Sequence, residues 1–109
     1  MGRFAKEAAL ADAQTGIVYQ TEDAGNNSGF YRFIPVDAND LTRGGRLQML
    51  AVAGAPGFTG WTGQTVGKVL ACEWVDIAEP DPNLAGGQPT CFAHGRAQGG
   101  AAFNRLEGL

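Results

Sequence analysis

Residues 16–35, GIVYQTEDAGNNSGFYRFIP, constrain this chain more than any other stretch, because two aromatic and β-branched runs flank a short Gly/Asn/Ser segment. Such side chains fit a pleated, half-buried surface, so residues 17–21 and 30–34 are predicted as strands. Between them Ala24-Gly25-Asn26-Asn27-Ser28-Gly29 carries the residues that reverse a chain: glycine tolerates positive φ, and Asn and Ser bond nearby backbone. The hairpin sets two adjacent carboxylates, Glu22 and Asp23, at a strand end, where loops on a rigid scaffold carry chemistry. The same pair is also ordinary turn chemistry, since an Asp before a Gly/Asn cluster can bond the backbone two residues on.

The rest of the first half continues the pattern. Residues 8–11 form a short apolar run, Gln14-Thr15-Gly16 a turn, and residues 47–53 a fourth strand after the polar link 37–45. Four antiparallel strands in about 45 residues is the size of one propeller blade. In the second half one long strand is expected over 68–77, with loops over 55–67 and 79–90. Alanines favour a helix within 92–106, and Gly95, Gly99 and Gly100 weaken it. The expected fold class is therefore mainly β: an antiparallel sheet of about one propeller blade plus part of the next, with a short helix near the C-terminus. A blade cannot bury both faces alone, so repeated units need neighbours. Residues 1–109 are accordingly expected to be one incomplete region of a larger β-propeller domain, with 8–53 one blade and 54–109 long loops, one strand and the helix.

Charge and composition exclude several classes of function. A net charge of −3 with eight scattered Lys/Arg provides no basic stripe for a nucleic-acid backbone. No apolar run approaches the roughly 20 residues that cross a bilayer, so no membrane-spanning segment is expected. Cys72 and Cys91 lack the CxxC spacing of a zinc or redox motif, and a disulfide between them stays open. His94 is the sole histidine, so neither a His-based metal cluster nor a Ser/His/Asp triad can be assembled within the chain. A metal held here would take mainly oxygen ligands. Trp61 and Trp74 are expected to serve packing.

The acidic positions Glu7, Glu22 and Glu107, the last two residues after Arg105, are spaced widely along a chain only 17% charged. Together with their surroundings they resemble the PhoX-type bacterial phosphatases, a family long catalogued as a bacterial domain of unknown function. The matching pieces are GRFAKEA (2–8), TGIVYQTEDAGNNSGFYRFIP (15–35), GGRLQMLAV (44–52), EWVDIAEPDP (73–82) and GGAAFNRLEG (99–108). They run in family order over nearly the whole chain, and the hairpin and terminal pieces are the specific ones.

The resemblance implies a β-propeller several times longer than this chain, in which carboxylates hold a cluster of calcium and iron ions that binds and hydrolyses phosphate monoesters. Carried over residue by residue, it implies Glu7, Glu22 and Glu107 as metal ligands, with Asp23 a weaker second, and Arg105 as the catalytic, phosphate-binding residue. Without the resemblance, Arg105 reads equally as a surface helix arginine. The implied partner is a phosphorylated small molecule in the intact parent, and the implied location of that parent is periplasmic or extracellular. Two departures stand out. Lys6 occupies the place where the family usually has a histidine, and the family's iron-binding cysteine comes from a segment upstream of GRF, matched by neither Cys72 nor Cys91. A fragment of the phosphatase, inactive alone and prone to self-association through open sheet edges, is the first expectation. A non-catalytic propeller-like binding or structural module is the alternative.

Overall fold

The computed structural model describes residues 1–109. Its framework is one antiparallel sheet of five strands in sequence order: β1 (Lys6–Ala11), β2 (Val18–Glu22), β3 (Phe30–Pro35), β4 (Gly45–Val52) and β5 (Cys72–Asp76). One short helix follows, α1 (Cys91–Ala97), and single 3-10 turns lie at Leu41–Arg43 and Leu84–Gly86. The fold is mainly β with a short helix near the C-terminus. The first four strands form the expected antiparallel meander, and the strand from the second half adds to the same sheet beside β4.

Register decides which residues meet. Val18 faces Phe33 and Gln20 faces Tyr31 across β2–β3, while Phe33 faces Leu47 and Tyr31 faces Met49 across β3–β4. Directly opposed residues share a sheet face. That face is therefore the core, in which Val18, Tyr31, Phe33, Leu47 and Met49 pack with Ile77 and Cys91. The opposite face carries Tyr19, Phe30 and Trp74, whose ring centroids lie 6.1–6.3 Å apart, with the Arg32 guanidinium 4.5 Å from the Trp74 ring. A polar ladder crosses three strands there: Arg32 Nε donates to Gln48 Oε1 at 2.7 Å, and Gln48 Nε2 donates to Asp76 Oδ1 at 2.7 Å. Trp74 thus packs as expected, whereas Trp61 lies on the surface, 39% exposed.

Two elements of the second half are shorter than their sequence suggests. A strand needs a ladder partner, and β4 ends at Val52, which pairs with Cys72. Residues 68–71 therefore lie outside the strand, and Val69 is 92% exposed. The helix occupies Cys91–Ala97 within and just before the ambiguous 92–106 stretch. Thr90 caps it by accepting from the Ala93 N–H at 3.1 Å, and Gly99, at φ +95°, ends it as Gly100 N–H bonds back to Gly95 O. Gly95 lowers helix propensity, yet it sits where α1 meets β4. A Cβ there would stand 2.1 Å from Met49 Sδ, so close approach requires glycine.

Candidate functional site

β2 ends on Glu22, and side-chain alternation from Val18 through Gln20 turns Glu22 to the core face. Its carboxylate is buried, with Oε2 accepting from Gly29 N–H at 3.0 Å and from Tyr31 Oη–H at 2.7 Å. Gly29 is required there because a Cβ would lie 2.5 Å from the Tyr31 ring and hydroxyl. Burial pushes the Glu22 carboxyl up from its ordinary value, while the Tyr31 and Gly29 donors and the Lys6 charge pull the other way. Lys6 faces Glu22 across β1–β2, bonds Gly2 O, and lies 4.2 Å from the Phe4 ring. Phe4 stacks on Tyr31 at 4.3 Å, which closes the N-terminal segment over this end of the sheet. Burial raises the Cys91 thiol as well, with Glu22 adding to the shift.

Asp23, one residue on, takes different partners. Arg105 Nε and Nη2 donate to its two carboxylate oxygens at 3.3 and 3.4 Å, a contact between residues 82 apart in sequence. The backbone brings them together. Residues 100–103 are pinned by isolated bridges to three separate segments: Ala51 with Gly100, Thr59 with Ala102, and Ser28 with Phe103. Ala101 and Ala102 are buried, and Arg96 ties Gly100 O to Phe58 O through Nη1. Just beyond, Arg105 N–H bonds Gly25 O at 2.9 Å while Arg105 holds φ +48°, a left-handed conformation unusual outside glycine. Asp23 first, then Glu107 and Glu7, raise the pKa of the Arg105 guanidinium. Arg105 lies past the end of α1, in a bend of the chain instead of on a helix surface.

The five residues singled out from sequence therefore fall into two groups at one end of the β1–β2 hairpin. Arg105 shares its surroundings with Glu7, Glu107 and Asp23, whereas Glu22 is turned inward among Tyr31, Gly29 and Lys6. Glu7 sits at the register shift between Lys6 and Ala8, a bulge that lets Lys6 oppose Glu22 while Ala8 opposes Thr21. Three residues of the Glu22 surroundings were missed. Tyr31 carried a signal, because it alternates with Phe33 on a strand facing β2; Gly29 and Cys91 carried none.

A hard cation such as calcium takes about six to eight oxygen ligands. No group of three or more His, Cys, Asp or Glu residues comes together in a way that could hold a metal ion. Glu22 Oε2 already accepts two hydrogen bonds, and Gln20, two residues earlier on the same strand, has a buried carboxamide without a hydrogen-bond partner. As placed, these donors do not fit a complete calcium or iron site. What the arrangement does offer is a guanidinium held by one carboxylate, Asp23, next in sequence to a buried acid, Glu22. An open pocket of about 470 Å³ lies nearby, between the N-terminal segment and the Pro80-Asp81 loop, lined by Lys6 and by the Arg3–Asp81 pair.

No curated protein and no solved structure is significantly similar to this sequence. One family does match: the model described as alkaline phosphatase PhoX covers residues 1–109. An alkaline phosphatase family suggests metal cofactors and a phosphatase-related origin. The match includes the acidic hairpin, the Arg105 segment that docks against it and the sheet that carries both, and on that ground the chain belongs to the alkaline phosphatase PhoX family.

Proposed function

We propose that this chain contributes part of the phosphate- and metal-binding apparatus of a phosphatase acting on phosphate monoesters. Family membership supports the reaction class, and the observation that carries the reading to a site is the meeting of Arg105 with Asp23 beside the Glu22 strand end. A guanidinium can hold two phosphoryl oxygens at once and offset the charge that develops on them. Arg105 is the phosphate-binding residue in this reading, and Glu7, Glu22 and Glu107 are ligands of calcium and iron. Held with further ligands from outside this chain, such ions would supply polarisation of a phosphoryl oxygen and an activated oxygen nucleophile. The donors within this chain fall short of a full set. In this reading the chain is one incomplete region of a larger β-propeller, with residues 8–53 as one blade, inactive alone, and the rest of the propeller supplies the remaining ligands.

One observation favours a second reading, a non-catalytic propeller-like binding or structural module. Glu22 is already committed to Tyr31 and Gly29, with Lys6 opposite, an arrangement suited to structure.

Metal analysis paired with initial rates separates the two. The isolated chain, supplied with calcium and iron, should not turn over a generic phosphomonoester, and turnover abolished by Glu22→Gln would refute its incompleteness. In a longer polypeptide that contains this sequence, Glu107→Gln should lower metal content and activity together. Arg105→Lys should keep the metal and weaken catalysis, since the bidentate contact is lost while the charge remains. Full metal and full activity in both variants would leave the structural module as the better account.

A further inference from the structure

We infer that Asp23 is the positioning residue of Arg105: its carboxylate holds one edge of the guanidinium and so presents the other edge to a phosphoryl group. The inference rests on the proposed role of Arg105 in phosphate binding and assigns Asp23 a part distinct from metal ligation. Arginine has five N–H donors in a rigid fork with two usable edges. Asp23 occupies the Nε–Nη2 edge, at 3.3 and 3.4 Å. Nη1 and the second hydrogen of Nη2 form the other edge, which has no partner in the protein, on a side chain 66% exposed. Two adjacent donors of this kind match two oxygens of a phosphate.

Both partners are anchored through their backbones, which is what makes the contact able to position. Asp23 N–H bonds Ala5 O at 3.0 Å, and Arg105 N–H bonds Gly25 O at 2.9 Å with the Ser28–Phe103 bridge directly before it. Asp23 is the less exposed of the pair, its side chain 27% accessible, so the carboxylate is the fixed member and the long arginine the guided one. Free in solution, an arginine side chain samples many rotamers, and a ligand that fixes one must offset the lost entropy. With Asp23 in place that ordering is present before phosphate arrives.

The charge of Asp23 works in the opposite direction, and this gives a clean test. Asp23, Glu107 and Glu7 all surround Arg105 with negative charge. If Asp23 were only a competing anion, removing its charge would tighten phosphate binding. If it positions the fork, removing it loosens binding despite the favourable change in charge.

The measurement is a titration of the isotope-labelled full chain with inorganic phosphate at constant ionic strength, following the Arg105 Nε–Hε resonance, with the Gly29 and Tyr31 amide signals as a check of fold. The native chain should show a saturable shift. Asp23→Asn should weaken binding by about three- to tenfold, the equivalent of ordering one flexible side chain, and should collapse the Arg105 signal toward that of a free arginine. Asp23→Glu keeps both charge and fork and should bind nearly as tightly as the native chain, which decides the same point if the Asn variant folds poorly. Binding by Asp23→Asn as tight as native or tighter, or an equally large loss in Asp23→Glu, overturns the positioning role and leaves Arg105 as a phosphate ligand. A native chain with no phosphate-dependent shift at Arg105 overturns the Arg105 reading, and the inference falls with it.

Discussion

Replacing Tyr31 by Phe removes one hydroxyl from the interior and nothing else of substance. Tyr31 is fully buried, its ring stays stacked on Phe4, and its Oη–H donates to Glu22 Oε2 at 2.7 Å. A hydrogen bond to a charged acceptor is worth about 1.5–3 kcal/mol, against about 0.5–1.5 kcal/mol for a neutral one. The cost of the substitution should therefore depend on whether Glu22 is ionised. Burial raises the Glu22 carboxyl above its unfolded value, so its contribution favours the fold below the ordinary glutamate range and fades as pH rises through the raised folded value. Tyr31 is one of the groups that limit this penalty, because its donor stabilises the carboxylate form. Urea unfolding of native and Tyr31→Phe chains, followed by tryptophan fluorescence, should show a loss of about 1.5–3 kcal/mol at pH 8 and about 0.5–1.5 kcal/mol at pH 4. In a Glu22→Gln background the loss should no longer vary with pH, since the acceptor stays neutral. An equal loss at both pH values in the native background, or none at pH 8, would refute the picture of a buried carboxylate held by a tyrosine.

Two further outcomes follow from packing and exposure. Gly95→Ala should destabilise the chain by about 1–3 kcal/mol in the same assay, because the added Cβ would meet Met49 Sδ at 2.1 Å and Met49 is itself fully buried; an unchanged midpoint would mean α1 can lift from β4 without cost. Cys72 is exposed and Cys91 buried, both as free thiols, so a thiol reagent should label one equivalent quickly and the second only on unfolding, while a native chain with no titratable thiol would show that they pair.

The strands around the acidic hairpin were legible because their determinants are local. A side-chain period of two, β-branched and aromatic residues, and a Gly/Asn reversal specify β2, β3 and the loop between them without reference to the rest of the chain. The same alternation puts Glu22 on the face of Val18, so its inward direction was implicit in the spacing. Helix and strand ends in the second half were less legible: β5 stops where β4 offers no more partners, and α1 tolerates Gly95 for a contact that propensity does not encode.

Sequence by itself determined the mainly antiparallel β fold, the acidic strand end and the family to which they belong. Only the tertiary structure decided the company each charge keeps. Glu22 and Asp23 are neighbours in sequence, yet one is buried against Tyr31 and the other is bonded to Arg105 across 82 residues. The bulge at Glu7 sets Lys6 opposite Glu22, and the return of residues 100–103 along three separate segments delivers Arg105 to the loop at Gly25. The physical reason is that strand alternation is a property of adjacent peptide units, whereas these contacts depend on register and on where the chain comes back, which no local pattern carries.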